Sequence, residues 1–149
     1  MTQDLNDLCR QLLDRHGVDP KTLLSNAPEG QITTFTRNWL VLLEDYLHLQ
    51  QQSNTFAEAH HDKVLSSMVE ARARGLAATL KQRVYDLAML NSQHALEICC
   101  KCLVLRQLAL IHPHGEDMSD VLRSSIQRDI NLLSEQFSDT GNEAGANDG

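Results

Sequence analysis

Residues 55–90 read TFAEAHHDKVLSSMVEARARGLAATLKQRVYDLAML. The stretch has no proline, and Gly75 is its one glycine. A 3.6-residue wheel puts Leu65, Val69, Leu76, Leu80, Leu87 and Leu90 on one side. Read as a single helix it would be about 50 Å long, more than one small domain needs. The pattern therefore predicts a spine over 55–90 with shorter helices lying against it. The fold class expected is all-α, a helical bundle built on one long central helix with shorter antiparallel helices.

The flanking segments fit that frame. Over 3–16, Leu5, Leu8, Cys9, Leu12 and Leu13 repeat at helical spacing. Gly17 is the expected stop, followed by the apolar Val18. Asp19-Pro20 reads as an N-cap with proline in the first helical position, opening a short helix over 20–26. Thr33 or Thr34 caps a helix over 34–52, where Phe35, Trp39, Leu42, Leu43, Tyr46 and Leu49 share a face. The polar run Gln50-Gln51-Gln52-Ser53-Asn54 reads as a turn whose Ser53 or Asn54 caps the spine. Asn91 and Ser92 are cap formers, so a new helix is assigned to 92–111. It is apolar almost all round, the mark of a buried helix, with Glu97 and Lys101 as its exposed edge. His112-Pro113-His114-Gly115 breaks it. Glu116 or Asp117 then opens a helix over 117–137 with Leu122, Ile126, Ile130, Leu133 and Phe137 in one stripe. The small, polar, acidic residues 138–149 read as a disordered tail.

A chain of 149 residues with 42% hydrophobic residues suits one domain, here 1–137, with a core of its own. Aromatics make up 4%, so leucine and alanine carry the packing, which favours helices over a β-sandwich. The formal charge of -7 repels phosphate backbones and argues against nucleic acid as the default partner. No run of about 18 uncharged apolar residues marks a membrane span. The N-terminus lacks the order of a secretory signal, and the four cysteines sit as reduced thiols in a cytoplasmic protein would.

No catalytic constellation is present: no GxSxG, P-loop, HExxH or glycine-rich phosphate loop. The chain therefore reads as no enzyme, with no cofactor and no metal. Cys99-Cys100-Lys101-Cys102 places Cys99 and Cys102 on one helix side. A second CxxC is missing, so small buried hydrophobes are a stronger reading than a metal or redox site. His60-His61 are adjacent and cannot face one ion from a single helix, and His112 and His114 flank a proline. Arg72 and Arg83 interrupt the spine's apolar face. They either snorkel or meet an acid such as Asp45 or one from a partner. Segment 5–26 loosely matches a helix-turn-helix, but its second helix carries only Lys21 as a base and lacks base-reading side chains.

The expected function is that of a non-catalytic cytosolic adaptor, chaperone or regulator acting through protein–protein interaction. The alternatives are a DNA-binding regulator using 5–26 and a thiol or metal sensor using Cys99 and Cys102. The expected interface is the stripe Leu65, Val69, Arg72, Leu76 and Leu80. It is continuous past Gly75, where small residues permit close approach, so a homodimer is the simplest cover.

Overall fold

The computed structural model describes residues 5–16, 19–111 and 116–148. It contains helices α1 (Leu5–His16), α2 (Pro20–Asn26), α3 (Gln31–Glu58), α4 (Lys63–Ala88), α5 (Ala95–Gln107) and α6 (Glu116–Asp148). A single 3-10 turn, Leu108–Leu110, continues α5. There is no strand among the described residues, so the all-α bundle stands. Gly17, Val18 and the His112–Gly115 break lie outside the described residues.

Four helices form a ring, in which α3 packs on α4, α4 on α6, α6 on α5 and α5 back on α3. Helices α1 and α2 pack on the outer side of this ring against α5. Residues Glu97 to Val104 of α5 are all buried, an unbroken run of eight. The helix expected to be most buried is therefore the one about which the bundle closes. Its cap differs from expectation: His94 Nδ1 accepts from Leu96 N, and Ser92 is used elsewhere. Glu97 and Lys101, expected at an exposed edge, are both inside the bundle.

The expected helix over 55–90 is two helices. α3 runs straight through the Gln50–Asn54 stretch to Glu58, and the chain reverses at residues 59–62. Glutamine is a good helix former, so a polar run of this kind ends nothing by itself. The stop is made by Asp62, whose Oδ1 accepts from Leu65 N at 3.0 Å while its own N–H bonds Phe56 O at 2.8 Å. His61 turns the corner with φ at 52°. Folding back brings the apolar stripes of the two arms together, which a lone 36-residue spine could not do for its first half. Ser53, expected as a cap, lies mid-helix and donates to Ser66 O, and Ser66 Oγ donates to Ser53 O in return. Trp39 Nε1 donates to Leu80 O at 3.0 Å. These contacts set one antiparallel register along the hairpin, with Asp45 beside Gly75 and His48 beside Arg72.

Other boundaries shift less. α3 opens at Gln31, and Thr33, expected as a possible cap, is buried with its hydroxyl on Pro28 O. α2 follows expectation, with Asp19 capping and Pro20 in the first position. α6 continues through 138–148, where composition suggested a tail; its last described buried side chain is Leu133.

The hairpin outreaches the bundle. α3 and α5 begin at the same end, where a Cβ on Gly30 would lie 3.8 Å from Glu97 Oε2. α3 then has 28 residues against 13 for α5 and 3 for the 3-10 turn. The difference is on the order of 15–20 Å. Burial follows this length: beyond Tyr46 the only buried residue in α3 is Ser53, and the first in α4 is Ala73.

Candidate functional site

Two regions depart from an ordinary helical core. One is the open face of the α3–α4 hairpin, and the other is a buried polar cluster at the base.

On α4, Val64, Leu65, Met68, Arg72, Gly75, Leu76 and Thr79 fall within an arc of about 120° at 100° per residue. The arc lies beside the buried one formed by Ala73, Ala77, Leu80 and Val84. Val64 is 71% exposed, Met68 63% and Leu65 42%. On α3, Val41, Asp45, Leu49, Gln52 and Phe56 recur at spacings of four and three and line the same side. Between the arms runs a cleft of about 520 Å³, walled by Asp45, His48, Leu49 and Gln52 from α3 and Arg72, Gly75, Leu76 and Thr79 from α4. A second, smaller hollow continues it toward Phe56.

Four of the five residues expected at the interface lie on or beside this face: Leu65 and Arg72 are exposed, Val69 and Leu76 half-buried. Leu80 does not belong with them. It is fully buried beneath α3, and its carbonyl accepts from Trp39. The physical reason is angular, since Leu80 sits about 80° round the helix from Arg72, inside the buried arc. Val64 and Met68 were absent from the expected stripe. They sit one helical turn apart on its outer flank, and that i, i+4 spacing is the signal that could have added them.

Arg72 and Asp45 wall the same cleft, both exposed, and neither makes an ion pair among the described residues. Gly75 adds a second anomaly. A Cβ placed there meets nothing within 4 Å. Packing within the chain does not require glycine, although mid-helix glycine costs roughly 0.5–1 kcal/mol relative to alanine.

The base is closed by a buried ion pair. Lys101 Nζ donates to Asp129 Oδ2 at 2.5 Å, and both side chains are fully buried. The ammonium also donates to Leu90 O and to Ser125 Oγ. Asp129 Oδ2 further accepts from Ser92 N and Ser92 Oγ, and Ser125 Oγ donates to Ala88 O. Arg128 reaches Ala88 O and Leu90 O from the surface. The cluster thus places two cations at the C-terminal carbonyls of α4, where the helix dipole is negative. Burial pushes the Lys101 ammonium below its ordinary range, and the Asp129 carboxylate opposes that shift. Nζ is fully buried, and through it the cluster joins α4, α5 and α6. Sequence carried a faint sign of it: Asp129 interrupts the Leu122, Ile126, Leu133 stripe, and Lys101 is the one cation among the buried residues of α5.

Cys99, Cys100 and Cys102 are buried and form no disulfide. Burial pushes the Cys100 thiol up to about 11, partly offset by its bond with Thr36. Thiolate chemistry needs the opposite shift and an exposed sulfur. No group of three or more metal-ligating side chains that could hold an ion occurs among the described residues. His60 and His61 are exposed at the hairpin tip, where His60 meets Phe56 ring to ring at 6.1 Å. His112 and His114 lie outside the described residues.

In the 5–26 segment, α2 is seven residues long and packs on α5 with Leu23 fully buried. Thr22 Oγ1 bonds Asp19 and Ser25 Oγ bonds Lys21 O, so both hydroxyls are used within the helix. Among the described residues no helix is long and apolar enough to cross a membrane. No family model matches the chain, and no curated protein or solved structure matches it either.

Proposed function

We propose that this chain works without catalysis, as an adaptor, chaperone or regulator that binds protein through the projecting α3–α4 hairpin. The observation that carries this reading is the coincidence of three features on one face. Exposed apolar side chains toward the tip (Val64, Leu65, Met68), an unpaired charge on each wall of a cleft below them, and a glycine with open space beside that cleft follow one another along about 24 Å of the hairpin. A helix laid along such a cleft would bury the apolar row and approach closely at Gly75. Self-association as a homodimer is the simplest form of this binding, and three buried cysteines outside any disulfide suit a reducing, cytoplasmic setting.

The test is sedimentation of the full chain at micromolar concentration, with Met68→Arg as the variant. The wild-type chain is expected to self-associate and Met68→Arg to sediment as a monomer with unchanged helicity. If Met68→Arg associates as the wild type does, the exposed α4 face is not the surface that binds.

A further inference from the structure

The hairpin face is complementary to itself in one particular arrangement. Asp45 lies on the α3 wall beside Gly75, and Arg72 lies on the α4 wall about one turn nearer the tip. Two hairpins can meet face to face about a two-fold axis in two ways. If the axis runs across the helices and the two Val64–Thr79 rows overlap fully, α3 lies on α3 and α4 on α4, the axis crosses beside Arg72, and Arg72 meets Arg72 of the second copy. If the axis runs along the hairpin, α4 of each copy lies antiparallel on α3 of the other. Arg72 then comes within about one helical turn of Asp45 of the second copy, twice by symmetry. The same arrangement sets Val64 level with Phe56 of the second copy and Met68 level with its Gln52, and places Gly75 under its α3.

We infer that the occupant of the hairpin face is a second copy of this chain, held in this second arrangement by two reciprocal Asp45–Arg72 pairs. The inference rests on the proposed binding role of the hairpin and names its partner. Charge decides between the registers, because juxtaposed like charges are strongly disfavoured at an interface while opposite charges steer and fix it. Area permits it. The row from Val64 to Thr79 is about 24 Å long, and two packed helices are about 20 Å wide. The footprint is on the order of 500 Å² per copy and 1,000 Å² in total, the size at which specific interfaces begin. Glycine at 75 also acquires a reason, since it lets the backbone of the opposing α3 come close.

Charge reversal in separate chains tests the register. Asp45→Arg and Arg72→Asp each alter an exposed, unpaired side chain, so both variants should retain wild-type helicity. Alone, each should sediment as a monomer at concentrations where the wild type is a dimer, because each would face its like charge twice. Mixed in equal amounts, they should form a dimer of one chain of each kind, resolved by mass in native mass spectrometry, because both pairs are then opposite in sign. Three results would overturn the inference: a wild-type monomer, single variants that dimerise normally, or a mixture that stays monomeric. If a wild-type dimer ignores both reversals yet is split by Met68→Arg, this register falls and the hairpin remains the binding surface.

Discussion

The base and the arm of this bundle handle polarity in opposite ways. At the base, an ammonium and a carboxylate with no solvent contact are joined to each other, to two serines and to the carbonyl ends of α4. Along the arm, apolar side chains stand in solvent on a face that no described residue covers. Buried charge is tolerated where neighbouring groups complete its hydrogen bonds. Exposed apolar surface is tolerated where something outside the chain covers it. At the base Asp129 Oδ1 is the one side-chain oxygen or nitrogen among the described residues that is buried without a hydrogen bond, with the Arg128 guanidinium at 3.5 Å. The base therefore reads as nearly complete and the arm as unfinished. Substitutions at the base should act on folding, and those on the arm should act on association.

The largest effect is expected at the base. Asp129→Ala leaves the Lys101 ammonium buried without its counter-charge and should cost about 3–5 kcal/mol of stability in denaturant titration. A loss under about 1 kcal/mol would mean that the pair opens readily to water and that the base is no more closed than the arm.

The next effect is a pH dependence confined to the closed region. Cys100 is raised from 9.0 to about 11 by burial. Between those values the unfolded chain has released a proton that the folded chain still holds, so stability falls as pH rises through that window. The loss should approach about 2–3 kcal/mol, and Cys100→Ala should remove it from the pH profile. A profile of unchanged slope in the variant would place the alkaline loss at another group.

Smaller still is Gly75→Ala. With nothing within 4 Å of the added methyl, the monomer should gain roughly 0.5–1 kcal/mol, read by chemical denaturation at high dilution. Dimerisation should weaken at the same time, so stability and association move in opposite directions. Both rising together would show that the open space at Gly75 is not a contact. The smallest effect is that of Met68→Arg on folding. At 63% exposure it should shift stability by no more than about 0.5 kcal/mol while abolishing self-association.

Helical periodicity alone determined the fold class, the short capped α2, and α5 as the helix enclosed on all sides. Those follow from spacing along a few turns, a property the chain carries before it packs. Leu65, Arg72 and Leu76 were found on the hairpin face by the same means. Tertiary structure decided the reversal at residues 59–62. There, Asp62 competes as a cap only because folding back lets Trp39 reach Leu80 and Ser53 reach Ser66. It also decided that Leu80 faces inward, since the sign of a stripe depends on which helix lies over it. The Lys101–Asp129 pair is beyond local reading altogether. Its members stand 28 residues apart, and an acid and a base on separate helices reveal nothing until packing removes the water between them.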